Sequence, residues 1–127
     1  MTIIGHGIDL VPIRRITASL SNYGDRFRER VFTAGETAYC NDSRKPDQHF
    51  AARFAAKEAV LKAIGTGWRG GIAWTDVEVV SLPSGAPGVR LSGEAMRIAA
   101  SMGITTWFLS LSHSDDTAIA SAIATGA

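Results

Sequence analysis

The sequence predicts a small α+β fold, in which a largely antiparallel sheet packs on one long central helix. The chain opens with a strand and carries two hairpin patterns in its second half. Between them lies a helical segment, residues 46–64, that is apolar nearly all round, as helices enclosed by other elements are. No repeat, low-complexity run or linker divides the chain, so we expect a single domain over residues 1–127.

The opening strand, residues 2–10, presents two different faces. One face is apolar, whereas the other carries two glycines and an aspartate. The glycines leave a hollow that admits the close approach of another backbone or of a ligand. The first face carries Ile4, Ile8 and Leu10 together with His6, and the second carries Gly5, Gly7 and Asp9.

Helices follow the opening strand. Pro12 suits a first helical turn, and the apolar residues after it recur at spacings of three and four. Residues 25–31 form a second short helix, and Thr33 with Glu36 is a capping-box pattern that opens a third. In the long helix, alanines cover most of the circumference beside a bulky stripe, and Gly65 ends the segment.

The second half of the chain predicts two hairpins with a helix between them. Clusters rich in proline and glycine, or in polar residues, separate the apolar runs and mark the turns. The predicted strands cover residues 76–82, 89–91, 105–112 and 117–124, and the predicted helix covers residues 92–102.

Length and composition restrict the class of protein. The 127 residues suffice for one core, and a content of 46% hydrophobic and 20% charged residues is typical of a globular domain. The net charge of +1 argues against binding nucleic acid through the whole surface. No leader pattern or apolar run of roughly 18 residues is present, so we expect neither secretion nor membrane insertion. A single cysteine, Cys40, favours a reducing, cytoplasmic location.

Charge is distributed unevenly along the chain. Residues 1–69 carry 11 basic and 7 acidic groups, whereas residues 70–127 carry 2 basic and 5 acidic groups. A cationic surface on a small domain suggests an anionic partner, either phosphates or an acidic protein, although solvated helix faces would give the same counts. The basic residues form one cluster of Arg14, Arg15, Arg26, Arg28 and Arg30, and another of Arg44, Lys45, Arg53, Lys57, Lys62 and Arg69.

Three charged residues of the long helix call for an explanation. On a wheel of about 100° per residue, Lys62 lies one turn beyond Glu58, which borders the bulky stripe. Lys57 falls within that stripe, where a charge is costly unless it is paired or binds a ligand. One alternative is a surface ion pair between Glu58 and Lys62, with Lys57 extending outward into solvent.

Asp9, at the end of the first strand, has two alternative roles. It could cap the helix that begins near Pro12. It could instead join Glu58 in a site for Mg²⁺, with water and a substrate phosphate completing an octahedron of oxygens. The scarcity of Cys and His favours magnesium over zinc. The residues alone therefore indicate a cationic, Mg²⁺-using site for a phosphorylated ligand and do not name the reaction.

Four stretches of the chain complete the sequence evidence. They are Gly5-His-Gly-Ile-Asp9-Leu-Val with Arg15-Ile16, then Arg53-Phe-Ala-Ala-Lys57-Glu58-Ala with Lys62-Ala-Ile-Gly65-Thr-Gly67, then Gly85-Ala-Pro87, and finally Leu109-Ser-Leu-Ser-His113. In this order, and in a chain of this size, the set resembles the holo-acyl-carrier-protein synthases, the small class of 4′-phosphopantetheinyl transferases. The resemblance covers essentially the whole chain, and the second stretch is the most specific.

The resemblance implies the fold, activity and partners of that family. Its members transfer 4′-phosphopantetheine from coenzyme A to a serine of apo-acyl carrier protein, in support of fatty acid biosynthesis, and release adenosine 3′,5′-bisphosphate. They depend on Mg²⁺ and form homotrimers with active sites between subunits. No nucleic acid or membrane partner is implied.

The resemblance also implies roles for individual residues. Asp9 and Glu58 match the metal ligands and, with Lys62, the catalytic group. The residues that match the coenzyme A cleft are Arg53, Lys57, Lys62, Gly65, Thr66, Gly67, Pro87, Ser112 and His113. The basic residues that match the carrier-binding surface are Arg15, Arg26 and Arg30.

The chemistry of the implied reaction agrees with these residues. The carrier serine attacks the β-phosphorus of a pyrophosphate, where Mg²⁺ on Asp9 and Glu58 would offset developing charge and Lys62 would stabilise the leaving side. Glu58 would accept the serine proton, directly or through a metal-bound water. Two other classes stay open: a nucleotide-binding module would not need both carboxylates, and an RNA-binding domain would need exposed aromatic residues on a sheet face. Trp107 and Phe108 are the adjacent candidates, and they point opposite ways.

Overall fold

The computed structural model describes residues 1–127, which form five strands and five α-helices. A short 3₁₀ turn, Trp74–Asp76, precedes the second strand. No helix is both long and apolar enough to span a membrane. The strands are β1 (Thr2–Pro12), β2 (Val77–Ser81), β3 (Pro87–Leu91), β4 (Thr106–His113) and β5 (Thr117–Gly126), and the helices are α1 (Ile13–Tyr23), α2 (Asp25–Val31), α3 (Ala34–Asn41), α4 (Pro46–Ala63) and α5 (Gly93–Ser101).

The strands form two antiparallel sheets. β5 lies between β1 and β4 in a three-stranded sheet, and β2 pairs with β3 in a separate hairpin. The terminal segments of the chain therefore lie side by side, with Asp9 opposite Ala120. Both the order of the elements and their antiparallel pairing confirm the α+β fold class that the sequence predicts.

α4 is the centre of the fold. Twelve of its 18 residues are buried, because the three-stranded sheet covers one side and α1, α3 and β2 pack on the others. The prediction of an enclosed helix is confirmed. Gly65 follows the helix with φ at +80°, a backbone conformation that favours glycine.

Two glycines of β1 allow the strand and α4 to touch through their backbones. A Cβ atom on Gly5 would lie 2.0 Å from the carbonyl oxygen of Ala63, and one on Gly7 would lie 1.9 Å from that of Ala59. Of the two uses that the sequence leaves for the hollow on this face, approach of another backbone is the one observed. The contact also places Asp9 next to the last turns of α4.

The apolar face of β1 points away from α4. Because the glycine face packs inward, Ile8 and Leu10 stay 53% and 60% exposed. They share this face of the sheet with Phe108 on β4, which is 50% exposed and pairs with Ile123 of β5. The outer face of the three-stranded sheet therefore presents large apolar side chains to solvent.

Local capping agrees with the sequence at α3 and differs from it at α1. Thr33 accepts a hydrogen bond from the backbone N–H of Glu36, and Glu36 accepts one from that of Thr33, so the capping box is confirmed. Pro12 both ends β1 and caps α1, where no side chain makes a capping hydrogen bond. The alternative in which Asp9 caps this helix is therefore wrong.

Candidate active site

The end of β1 and the last turns of α4 bring Asp9, Glu58 and Lys62 together. The Lys62 Nζ atom donates to the Asp9 Oδ1 atom at 2.9 Å and to the carbonyl oxygen of Ile8 at 3.0 Å. Lys62 therefore pairs with Asp9, and the predicted alternative of a Glu58–Lys62 ion pair is not formed. Three charged groups from two distant segments thus share one edge of the fold.

The two carboxylates of this cluster lie in an unfavourable environment for two negative charges. The Asp9 side chain is only 10% exposed, and its Oδ2 atom is buried without a hydrogen-bond partner. Burial, followed by the charge of Asp9, raises the pKa of Glu58, and the charges of Arg15 and Lys62 oppose this rise. The cluster therefore favours a ligand that brings further positive charge.

The donor set fits a hard cation that keeps part of its water shell. No group of three or more His, Cys, Asp and Glu residues converges anywhere in the chain, so no site for zinc with a full set of protein ligands is present. Mg²⁺ is commonly held by only one or two carboxylates, with water and substrate phosphates as its other ligands. The unpartnered Asp9 Oδ2 atom beside Glu58 supplies an oxygen of the required kind.

A cavity of about 180 Å³ lies on the far side of α4, between α3, α4, the β2–β3 hairpin and β4. It brings together Arg53, Pro87 and His113, which come from three distant parts of the sequence. Arg53 is only 5% exposed, and its Nε atom is buried without a partner. Its guanidinium carbon lies 4.0 Å from the centroid of the Tyr39 ring. The cavity is lined by no carboxylate and does not include Asp9 or Glu58.

Two residues that were not predicted from the sequence also line this cavity. The Tyr39 ring meets the His49 ring edge-on, with 5.7 Å between centroids. Burial lowers the pKa of His49, as do the nearby charges of Arg53 and His113. The spacing of His49 and Arg53, four residues apart on one helix, would have indicated that their side chains share a face.

The Gly65–Gly67 loop and Ser112 lie elsewhere on the surface. Gly65 and Gly67 both adopt positive φ, and the backbone N–H groups of Thr66 and Gly67 donate to the carbonyl oxygen of Leu61. Ser112 lines a separate cavity of about 230 Å³ that His113 also borders. Of the implied coenzyme A residues, only His113 connects the two cavities.

The role implied for Lys57 in the coenzyme A cleft requires correction. Its side chain is fully buried, and its Nζ atom donates to the Glu36 Oε1 atom at 2.7 Å and to the carbonyl oxygens of Trp74 and Val77. The ammonium group therefore neither lines an open cleft nor extends into solvent. Glu36 also accepts a hydrogen bond from the backbone N–H of Val79, so the pair ties α3 and α4 to β2. The helical wheel places Lys57 in the bulky stripe, but no local pattern in the sequence indicates its partner, which lies 21 residues earlier.

The arginines of the implied carrier surface surround an aromatic cavity. Arg26 and Arg30 line a cavity of about 520 Å³, and the Arg15 guanidinium carbon lies 5.6 Å from the ring of Phe54, which lines it too. The apolar part of this surface was not predicted from the sequence. Besides the two arginines, the cavity is lined by Tyr23, Phe27, Val31, Phe54, Trp68 and Trp74.

Comparisons with known proteins agree on one family. Residues 5–122 match the 4′-phosphopantetheinyl transferase superfamily. The chain is 46% identical over 121 residues to the holo-[acyl-carrier-protein] synthase of Koribacter versatilis, covering 95% of this chain and 97% of the relative. It is 49% identical over 124 residues to the enzyme of the same name from Desulforudis audaxviator, covering 98% of this chain and 94% of the relative.

Solved structures give the same result. The holo-[acyl-carrier-protein] synthase of Neisseria meningitidis superposes with a TM-score of 0.87 at 34% identity, over 98% of this chain and 99% of that one. The Helicobacter pylori enzyme in complex with coenzyme A superposes with a TM-score of 0.83 at 29% identity, over 94% of this chain and 99% of that one. The match in sequence and in fold extends over nearly the whole chain, which therefore belongs to the 4′-phosphopantetheinyl transferase superfamily.

Proposed function

We propose that this protein is a holo-[acyl-carrier-protein] synthase. It transfers 4′-phosphopantetheine from coenzyme A to a serine of apo-acyl carrier protein and releases adenosine 3′,5′-bisphosphate. The observation that carries this proposal is the convergence of Asp9, Glu58 and Lys62 at one edge of a fold shared with enzymes of that name. A non-catalytic nucleotide-binding module would have no use for two crowded carboxylates.

The reaction centre uses two kinds of charge. Mg²⁺, held by Asp9 and Glu58, would supply positive charge that offsets the charge developing on the pyrophosphate oxygens. Lys62 holds Asp9 in place, and its half-exposed ammonium group would stabilise the leaving side. The raised pKa of Glu58 suits it to accept the proton of the carrier serine, directly or through a water molecule.

We assign the phosphomonoester end of coenzyme A to the cavity of about 180 Å³ that Arg53 lines, which we call the Arg53 cavity. Coenzyme A carries a phosphomonoester on its ribose in addition to the pyrophosphate, and the two carboxylates would hold the pyrophosphate through the metal. The phosphomonoester then needs a separate cationic site, and the cavity lined by Arg53 and His113 contains no carboxylate. Pro87 at its rim and the Gly65–Gly67 loop would line the remainder of the cleft.

We assign the carrier protein to the surface around Arg15, Arg26 and Arg30. Acyl carrier proteins are acidic, so arginines around an apolar cavity combine charge attraction with burial of carrier side chains. Arg15 links this surface to the reaction centre, because its charge also acts on Glu58. The carrier serine would thereby approach the two carboxylates from the arginine side.

We further propose a homotrimer with active sites between subunits. The outer sheet face exposes Ile8, Leu10 and Phe108, and exposed apolar residues on one face often mark an interface. Within one chain the Arg53 cavity and the Asp9–Glu58 pair lie on different sides of α4. Packing through the sheet face would let one subunit's carboxylates meet a neighbour's cavity and so complete a site.

The single buried cysteine suits a cytoplasmic enzyme.

A transfer assay tests the proposal directly. Purified protein is incubated with apo-acyl carrier protein, coenzyme A and Mg²⁺, and the carrier is examined by mass spectrometry. We expect the carrier to gain one phosphopantetheine group at its serine, and a carrier whose serine is replaced by alanine to gain none. An unchanged carrier mass, with coenzyme A bound by the protein, would favour the nucleotide-binding module instead.

A further inference from the structure

His49 is a cavity residue that the function proposed above does not use. Its ring lies on the wall shared by the Arg53 cavity and a second, open cavity lined by Tyr39, Asp42 and Ser43. It forms no hydrogen bond within the protein, and its ring packs edge-on against the ring of Tyr39. The imidazole is therefore free to bind a ligand.

The cavity is prepared for an anion. Arg53 is nine-tenths or more buried and has an unpartnered Nε atom, so its charge is not neutralised by the protein. The opposite wall carries His113, and Tyr39 offers its ring face to the guanidinium group. An isolated buried cation is costly, and the cost is relieved when an anion occupies the cavity.

We propose that His49 is a further binding residue of this cavity, and that it holds the phosphomonoester of coenzyme A as a protonated imidazolium. The inference rests on the proposed function, because it requires coenzyme A to be the ligand. It makes His49 a specificity-determining residue, since coenzyme A lacking its phosphomonoester would gain nothing from the imidazolium. Arg53 would supply the permanent charge, and His49 would supply a second charge that forms on binding.

The change of protonation follows from the groups that face His49. In the free protein, burial and the positive charges of Arg53 and His113 lower the pKa of His49, so the ring is neutral near pH 7. A bound phosphomonoester brings a charge of about −1.5 to −2 at that pH, which reverses the local field. Asp42 lines the adjoining cavity with His49 and is the one acidic residue among the groups that line the two cavities. Binding therefore takes up a proton, and affinity falls as pH rises through the pKa of the bound state.

Calorimetric titration tests this inference. Wild-type protein, His49→Phe and His49→Gln are each titrated with coenzyme A and with 3′-dephospho-coenzyme A, at constant ionic strength between pH 6.5 and 8.5. We expect wild type to lose affinity for coenzyme A several-fold over this range, and to take up protons on binding, as detected in buffers of different ionisation heat. At every pH, both variants should bind coenzyme A with the affinity that wild type shows at the high-pH end of the range. The affinity for dephospho-coenzyme A should not change with pH for any of the three proteins.

The possible outcomes distinguish a role of His49 from a role of His113. They also distinguish failure of this inference from failure of the proposed function. Melting temperatures verify that the variants are folded, and His49→Gln serves if the bulkier Phe distorts the cavity. A pH profile that persists in both His49 variants and disappears in His113→Phe would assign the titration to His113 and overturn the inference. Failure of wild type in the transfer assay, with these titrations unchanged, would overturn the proposed function and leave the phosphate-binding role of His49 standing.

Discussion

Asp9 and Glu58 show how neighbouring groups give two carboxyl groups different properties. Asp9 is held by Lys62 through one oxygen, and its other oxygen is buried without a partner. Glu58 has no such cation of its own, and burial raises its pKa. A bound metal ion would relieve both unfavourable features. It would give the unpartnered Asp9 oxygen a ligand bond, and its positive charge would favour the charged form of Glu58.

Replacing either carboxylate with its amide should abolish transfer and leave the fold intact. We expect Asp9→Asn and Glu58→Gln to lower kcat/KM by about a hundredfold or more, because each loses an oxygen ligand for the charge-stabilising cation. Mg²⁺ should raise the melting temperature of wild type and have little effect on that of either variant. Glu94→Gln, a change on the remote surface of α5, is the control. Near-normal turnover of either amide variant across a Mg²⁺ titration would refute the metal assignment.

Lys57 shows how a buried charge can be structural rather than catalytic. Lys57→Met removes the partner of a fully buried Glu36, and we expect it to lower the free energy of unfolding by about 3–5 kcal/mol. A second change, Glu36→Leu, should restore part of this loss because it removes the unpaired charge. Arg90→Met, which breaks an ion pair whose Arg90 side chain is 71% exposed, should cost less than about 1 kcal/mol. Urea denaturation measures all three, and equal costs for the Lys57 and Arg90 variants would contradict the structural role.

At the scale of elements, the contact between β1 and α4 sets the position of the candidate site. The strand can lie on the helix backbone only because Gly5 and Gly7 have no side chains. Across β5 the same surface is lined by alanines at positions 118, 120, 122 and 124, which are almost completely buried. Small residues on both sides thus bring the end of the strand to the helix turn that carries Lys62.

Gly7→Ala should separate β1 from α4. The added Cβ atom would lie 1.9 Å from a backbone oxygen that cannot move independently of the helix, so we expect a loss of about 1–3 kcal/mol. Because Asp9 lies only two residues after Gly7, it should move with the strand. We therefore expect turnover to fall even under conditions in which the variant stays folded. Gly70→Ala is the matched control, since nothing lies within 4 Å of its Cβ position. Denaturation and transfer assays on both variants measure the effect, and a Gly7→Ala protein with wild-type stability would show that the strand can shift.

At the scale of the whole molecule, each surface has its own chemistry. The helical side carries arginines around an aromatic cavity, the sheet side carries exposed apolar residues, and the carboxylate cluster lies at the junction of β1 and α4. These surfaces correspond to the three proposed partners, which are the carrier protein, a second subunit and the pyrophosphate of coenzyme A.

Charge reversal at Arg15 or Arg30 should weaken the encounter with the carrier. We expect Arg15→Glu and Arg30→Glu to raise the KM for the carrier by about tenfold at low salt, and to flatten its dependence on ionic strength. The KM for coenzyme A should change little, because its phosphates are assigned to other residues. Steady-state kinetics with each substrate varied in turn measures both values. Loss of coenzyme A affinity with an unchanged response to the carrier would show that the two basic clusters are assigned the wrong way round.

A charge on the outer sheet face should prevent assembly. Leu10→Asp places a carboxylate in the apolar patch, where burial against another subunit would be costly, so we expect a monomer of 13.5 kDa in place of the trimer. Light scattering gives the mass, and transfer activity should fall with it if sites lie between subunits. A wild-type protein that is an active monomer would contradict the assembly, whatever the variant does.

The order and type of the elements follow from the sequence by itself, because helix and strand periods are properties of short segments. The wheel that places Lys62 one turn beyond Glu58 is equally local, and the resemblance supplies the role of Asp9. Element ends differ by only a few residues, as where β3 begins at Pro87 instead of residue 89. Most of the fold and the core of the candidate site are therefore predictable.

Only the tertiary structure decided which distant residues meet. No local pattern pairs Lys57 with Glu36, because their contact depends on how α3 lies against α4. Likewise, His49 shares a cavity with His113 only because β4 lies against that end of the helix. The direction of the apolar face of β1 was also undecided, since period-2 alternation defines two faces without saying which packs inward. The contact at Gly7 decides the direction. At that point the backbones of β1 and α4 lie too close together for any side chain between them, so the glycine face packs on the helix and the apolar face stays outside.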